Sequence, residues 1–159
     1  MLTALTYTCQ SQILEEQINY PKPIFASDGS QLPQNGQFYN IYPDDSLNLV
    51  LRFELIDTLD GWKINIDGKL QQPQADTYTF ITQNGKIHVG QGREPFHIDL
   101  ARANPVNYAG ELRIAKVEDK MQVTEWSNSS GHYKPSPDYR HLANLPEDAF
   151  RDTSKWFLL

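Results

Sequence analysis

The stretch that decides the fold is residues 109–142, AGELRIAKVEDKMQVTEWSNSSGHYKPSPDYRHL. Residues 112–114 and 121–123 each place apolar side chains on either side of a polar one. Between them stands Glu118-Asp119, a short polar break in the apolar pattern. This arrangement predicts two antiparallel strands joined by a tight turn.

The loop SNSSGHYKPSP (residues 127–137) follows the second strand. Ser136 is a favourable N-cap and Pro137 suits the first position of a helix, so a short helix is predicted to run to Ala143. The loop therefore lies between a strand end and a helix start. Loops that leave a sheet edge often carry functional residues.

Turn signals upstream predict a further set of strands. Leucine and phenylalanine alternate with mostly polar residues over residues 47–55, and residues 62–66 repeat the pattern after Asp60-Gly61. Residues 77–82 and 86–89 flank Asn84-Gly85, a strong hairpin signal. Five Asx-Gly pairs in one chain favour antiparallel pairing throughout.

The remaining segments predict few helices. The second half of residues 3–18 is interpreted as helix, and residues 94–104 as a second helix that Pro105 ends. Residues 19–45 form a proline-rich loop whose aromatic side chains pack on the body. The predicted fold class is α+β: one domain over residues 1–159, with a single antiparallel β-sheet of about six strands and two or three short helices packed on it.

Composition and charge make several classes of function less expected. The net charge is −6 with no basic run, so DNA is not an expected partner. Cys9 is the single cysteine, which excludes an internal disulfide and a cysteine-based zinc site, and we interpret it as a buried apolar residue. The chain lacks a membrane-length apolar run, and its first basic residue is Lys22. We expect a cytoplasmic protein, or one exported without a cleaved signal peptide.

The strongest candidates for chemistry are His132, Tyr133 and Lys134. Histidine serves as an acid or base near neutral pH, a tyrosine hydroxyl donates a hydrogen bond, and lysine binds anions. His97 is a second acid–base candidate if it shares a cleft with His132. Substrate contacts are expected from Lys134 and from the neighbouring residues Ser130, Gly131 and Ser136, where the helix amides favour an anion.

A structural interpretation of the same residues stands beside the chemical one. Gly131 then supplies a positive φ, His132 bonds a backbone carbonyl, Tyr133 belongs to the core, and His97 bonds a helix end. No metal site is predicted, because the histidines lack zinc-binding spacing, and the cofactor is left open. Gly90-Gln91-Gly92 lacks the rest of a dinucleotide-binding fingerprint.

The order of motifs from Tyr78 to Leu142 resembles a known family. The segments are YTFIT (78–82), KIHVGQ (86–91), FH (96–97), AGELRI (109–114) and WSNSSGHYKPS (126–136). A similar series, with SGHYxP before a helix, occurs in the C-terminal half of plant IQ-motif calmodulin-binding proteins and in bacterial effector-like and toxin-like domains. The resemblance covers residues 77–142 and implies a shared fold and a site at the SGHYKP loop.

The chain departs from that family in two places. It contains no IQ motif, so calmodulin is not an expected partner. Ile98-Asp99 follows Phe96-His97 where the family has small hydroxyl residues, which puts a shared role for the following residues in doubt.

Two functions remain open at this point. The first is an effector-like or toxin-like enzyme, a transferase or hydrolase, whose His97–His132–Tyr133–Lys134 cleft acts on an anionic or nucleotide-like small substrate. The second is a non-enzymatic module that binds a protein partner, in which the SGHYKP loop is structural.

Overall fold

The computed structural model describes residues 20–90 and 96–153, which form ten strands, one α-helix and two 3-10 helices. In chain order they are β1 (Ile24–Phe25), β2 (Gln31–Leu32), β3 (Arg52–Thr58), β4 (Gly61–Ile66), β5 (Lys69–Gln71), β6 (Asp76–Gln83), β7 (Lys86–Gly90), α1 (His97–Ala101), β8 (Tyr108–Val117), β9 (Lys120–Ser127), the 3-10 helices Pro137–Ala143 and Glu147–Ala149, and β10 (Phe150–Arg151). The predicted helix within residues 3–18, with Cys9, lies outside the described residues.

Eight of these strands form one mixed sheet, in the order β10-β9-β8-β6-β7-β3-β4-β5. A bridge between Gly61 in β4 and Met121 in β9 joins the sheet to itself, so six strands form a closed ring. β1 and β2 pair separately as a small antiparallel sheet. The prediction of a wholly antiparallel, six-stranded sheet is wrong, because β9 pairs in parallel with both β4 and β10.

The hairpins predicted from turn residues are confirmed. Asn84 and Gly85 both have positive φ, 51° and 75°, as the tight turn between β6 and β7 requires. Glu118 and Asp119 also have positive φ between β8 and β9, at 51° and 66°. β8 and β9 extend well beyond the three-residue cores seen in the sequence.

The helical content is lower than predicted, and the fold is mostly β. α1 spans five residues, and Arg102 and Ala103 end it in the left-handed conformation before Pro105 is reached. The predicted helix up to Ala143 is a 3-10 helix, and Tyr139 inside it departs from helical geometry. The Ser136 cap is confirmed, since its hydroxyl accepts a hydrogen bond from the Asp138 N–H.

The strand predicted over residues 47–55 begins only at Arg52. Arg52 pairs with Gly90, the last residue of β7 that the structure describes. The alternating leucine side chains before Arg52 do not point into the core, because Leu49 is 87% and Leu51 70% exposed. Alternation alone therefore did not determine where β3 begins.

Aromatic side chains fill the core between the sheet and the segments that cover it. The Trp126 ring contacts Phe80, Tyr108 and Phe150, with ring centroids 6.1, 6.0 and 4.7 Å away. The indole N–H is satisfied by the carbonyl of Pro146. The chain after β9 is thereby held against the sheet, which fixes where the SGHYKP loop begins and ends.

Gly110 and Gly131 provide a matched test of this packing. A Cβ at Gly110 would lie 1.7 Å from the Ser127 carbonyl oxygen, whereas one at Gly131 meets nothing within 4 Å. We expect Gly110→Ala to lower the unfolding free energy by about 3 kcal/mol or more, and Gly131→Ala to be nearly neutral. Urea denaturation measures both, and equal losses would contradict the described contact between β8 and β9.

Candidate functional site

The motif loop, residues 128–136, is held in the fold by its own polar groups. The Asn128 amide donates to the Pro135 carbonyl (3.0 Å), and its oxygen accepts from the Thr153 N–H (2.8 Å). Ser130 accepts at its hydroxyl from the Tyr133 N–H and at its carbonyl from the Lys134 N–H. These bonds close the loop on itself.

Several predicted contact residues are buried by this arrangement. Tyr133 is 0%, Ser130 2% and Ser136 2% exposed. The Tyr133 hydroxyl donates to the Asn104 carbonyl at 2.8 Å, and burial raises the pKa of this phenol. Ser136 caps a 3-10 helix of seven residues, too short to provide the anion-binding dipole expected from the sequence.

Gln31 is the centre of the hydrogen-bond network around the loop. It is fully buried, its side-chain N–H groups donate to the carbonyls of Tyr39 (2.9 Å) and Tyr133 (2.7 Å), and its oxygen accepts from the Tyr39 N–H (2.9 Å). Its backbone also bonds Lys134 and Ser136. The sequence carries no signal for this role, because one side-chain partner, Tyr133, lies 102 residues away.

The loop residue with a positive φ is Lys134 rather than Gly131. Lys134 has a φ of 44°, whereas Gly131 is not among the positive-φ glycines. The structural interpretation of Gly131 from the sequence is therefore wrong. The Lys134 ammonium lies 6.0 Å from the centroid of the Tyr42 ring, within reach of a cation–π interaction.

His97 is a buried residue with its ring already bonded. Its Nε2–H donates to the Gly110 carbonyl at 2.8 Å, and 8% of the residue is exposed. Burial lowers its pKa to about 4; the bond to Gly110 opposes this shift and the nearby His132 adds to it. His97 is thus neutral at neutral pH and holds α1 against β8.

His132 is the more accessible of the two histidines. Its Nε2 lies 2.9 Å from Oδ2 of Asp45, and the side chains are 17% and 57% exposed. The rings of Tyr42 and Phe96 flank the imidazole, with centroids 5.7 and 6.0 Å away. The structure therefore gives His132 a carboxylate partner that the sequence analysis did not identify.

The four residues expected to share a cleft are placed differently. His132 and Lys134 both contact Tyr42, while His97 and Tyr133 are buried behind them. Three cavities in the part of the chain that the structure describes are lined by other residues. Their catalytic and substrate-binding roles stay predictions, and the open space lies elsewhere.

That space is a cavity of about 450 Å³, here called the Tyr39 cavity. Three segments line it: residues 20–23, residues 39–45 and residues 102–104. Residues 39–45 are called the wall segment, and all of them except Tyr42 and Asp45 belong to the lining. The Tyr20 and Tyr39 rings meet at 5.7 Å with a tilt of 37°. Prolines 21, 23 and 43 and Ile41 supply further apolar surface.

The motif loop and Gln31 support this cavity from behind. The Gln31 side chain forms hydrogen bonds with both the N–H and the carbonyl of Tyr39. The His132 carbonyl accepts a hydrogen bond from the Ile41 N–H at 2.9 Å. Tyr133 bonds the backbone of Asn104, whose side chain accepts from the Tyr20 hydroxyl at 3.4 Å. All three lining segments are thus fixed through bonds that lead to the loop.

The mouth of the cavity concentrates positive charge on an acidic protein. Lys22 and Arg102 are exposed lining residues, and no salt bridge joins either one to an acid in the described parts of the chain. Burial lowers the pKa of Arg52, and the charge of the nearby Arg102 lowers it further. Asp44 is the acid in the lining.

Arg52 also explains how Arg102 is positioned. It donates to the Leu100 carbonyl (2.9 Å) at the C-terminal end of α1 and to the side chain of Gln83. Gln83 in turn bonds the carbonyls of Ala101 and Pro105. The last turn of α1 is thereby fixed from β3 and β6, and Arg102 follows it directly.

Neither a metal-binding cluster nor a membrane-spanning helix is found among the described residues. They contain no group of three His, Cys, Asp or Glu side chains placed to hold a metal ion. No helix in residues 20–90 or 96–153 has the length and apolar content needed to cross a bilayer.

Comparisons with protein-family models, with curated proteins and with solved structures gave no match to this chain. The resemblance to the C-terminal domain of IQ-motif calmodulin-binding proteins therefore stays a prediction from the motif residues alone.

The low pKa of His97 predicts the pH dependence of stability. An unfolded histidine has a pKa near 6.5, so the unfolded state takes up a proton as pH falls below that value while folded His97 does not until about pH 4. His97 alone should therefore lower the unfolding free energy by about 3 kcal/mol across this window.

Denaturant titrations between these two pH values measure the slope. We expect His97→Gln, whose amide is able to donate to Gly110, to have a shallower slope than the wild type. His141→Gln, which changes an exposed histidine, should keep the wild-type slope. Equal slopes in all three proteins would contradict the buried, neutral state of His97.

Proposed function

We propose that this protein binds an anionic small molecule that carries a planar ring, and that it does so in the Tyr39 cavity. The size of the cavity, about 450 Å³, falls in the range typical of small-molecule sites. Its walls are aromatic and proline side chains, which favour a flat, apolar body. This proposal keeps the expected ligand class and moves its site away from the SGHYKP loop.

The observation that carries the proposal is the charge at the cavity mouth. The chain has a net charge of −6, yet Lys22 and Arg102 are exposed residues that line the same cavity. A cationic rim on an acidic protein attracts anions and orients them toward the opening. Nucleotides combine the required ring and negative charge.

The motif loop has a supporting role in this proposal. His132 and Tyr133 bond the backbones of Ile41 and Asn104, so the loop determines the shape of the cavity without contacting the ligand. The proposal is closer to the recognition-module hypothesis than to the enzyme hypothesis, with a small molecule in place of a protein partner.

Acid–base catalysis by His132 is the second candidate, and one contact favours it. The 2.9 Å separation between His132 Nε2 and Asp45 Oδ2 fixes the ring by a carboxylate, as in many histidine bases. A transferase or hydrolase reaction of this kind takes place beside Tyr42 and Phe96, on the other face of the wall segment.

Isothermal titration calorimetry with cyclic AMP, NAD and adenosine tests the binding proposal. We expect cyclic AMP or NAD to bind and uncharged adenosine to bind more weakly. Lys22→Gln and Arg102→Gln should each weaken the binding about fivefold, the effect expected for an exposed charge pair.

Lys116→Gln is the matched control, because it removes one exposed positive charge from the end of β8, outside the cavity lining. It should leave the affinity unchanged. The proposal is contradicted if adenosine binds as tightly as cyclic AMP, or if the Lys116 variant loses as much affinity as the other two.

A further inference from the structure

The wall segment, residues 39–45, has two faces with different partners. Tyr39, Ile41 and Asp44 line the Tyr39 cavity. Tyr42 and Asp45 instead contact His132 on the opposite face. The position of the cavity wall therefore depends on what holds Tyr42 and Asp45.

His132 holds this segment through three contacts. Its carbonyl accepts from the Ile41 N–H at 2.9 Å, its ring centroid lies 5.7 Å from that of Tyr42, and its Nε2 lies 2.9 Å from Asp45. The carbonyl bond is indifferent to pH. The contact with Asp45 changes when the imidazole gains or loses a proton.

The charged and titratable groups around His132 come from three elements. Asp45 belongs to the wall segment, and Lys134 of the motif loop lies on the Tyr42 ring. α1 contributes His97, which the low pKa near 4 keeps neutral, and Asp99, whose oxygens accept from the N–H groups of Phe96 and Asn48. Asp45 is thus the acid that meets the imidazole directly.

Protonation strengthens this contact. A neutral imidazole and a carboxylate share an ordinary hydrogen bond, whereas an imidazolium and a carboxylate form a shorter, charge-assisted one. Histidine is the side chain whose charge ordinarily changes between about pH 5 and pH 8. Gain or loss of the imidazole proton therefore alters how firmly Asp45 is held.

We propose that His132 and Asp45 form a proton-dependent latch on the wall of the Tyr39 cavity, so that the cavity binds an anionic ring ligand more tightly when His132 is protonated. The ligand part rests on the proposed function above. The change in the wall segment itself does not, and it is measured without any ligand.

The effect is assignable because the chain has four histidines. Burial lowers the pKa of His88 to about 4, with Arg52, Lys86 and Arg102 adding to the shift, and the pKa of His97 is also near 4. Both are neutral throughout the range tested. His132 and His141 remain, and His141 lies on the exposed side of a 3-10 helix.

Hydrogen exchange of the Ile41 amide, followed by NMR, tests the latch directly. After correction for the intrinsic exchange rate, we expect about threefold greater protection at about pH 5.5 than at about pH 8 in the wild type. Asp45→Asn and His132→Gln should abolish this difference. His141→Gln should keep it. Asp45 is exposed, so its variant keeps the test valid even if the His132 variant does not fold.

Binding of anilinonaphthalene sulfonate, measured by fluorescence at the same two pH values, tests the ligand part. Its sulfonate stays ionised throughout, so a change in affinity originates in the protein. We expect about threefold tighter binding at the lower pH in the wild type and no change in Asp45→Asn.

The two proposals fail in different ways. If protection of the Ile41 amide depends on pH but the probe does not bind, the latch is supported and the proposed function is contradicted. Protection that is equal at both pH values in the wild type, or that is still greater at the lower pH in Asp45→Asn, overturns the latch whether or not the probe binds.

Discussion

The fold around the candidate site depends on one buried amide. Gln31 uses both of its donors and its acceptor on the backbones of Tyr39 and Tyr133, and its own backbone bonds Lys134 and Ser136. A buried polar group left without partners costs about 1–3 kcal/mol, so the two segments that meet at Gln31 are strongly constrained to stay together. The motif loop and the wall of the Tyr39 cavity are therefore one structural unit.

This constraint favours a structural interpretation of the SGHYKP segment. Its serine and tyrosine residues are buried and bonded inside the fold, and its lysine adopts a positive φ. A dense set of polar and aromatic residues between a strand and a helix is typical of a catalytic loop, but it is equally typical of a loop that supports a neighbouring surface. Here the Tyr39 cavity is lined mostly by residues of the proline-rich loop, which the sequence predicted to pack on the body.

The sequence predicted what local chemistry determines. Asn84-Gly85 and Glu118-Asp119 specify their turns within four residues, so the two hairpins were predicted correctly. Contacts between distant segments were not predictable: nothing near Gln31 indicates a partner 102 residues away, and nothing near Leu49 indicates that this side chain is exposed. His132 was identified, yet its acid, Asp45, is 87 residues distant. The cavity combines three such segments, and for that reason periodicity and spacing could not reveal it.

An isosteric change at Gln31 tests the central claim most directly. Gln31→Glu keeps the shape and an acceptor but loses the donors that face two carbonyls, whereas Gln72→Glu adds the same charge at an exposed position. Urea denaturation should show a loss of about 3 kcal/mol or more for Gln31→Glu and almost none for Gln72→Glu. Equal stability of the two variants would contradict the claim that this amide joins the loop to the cavity wall.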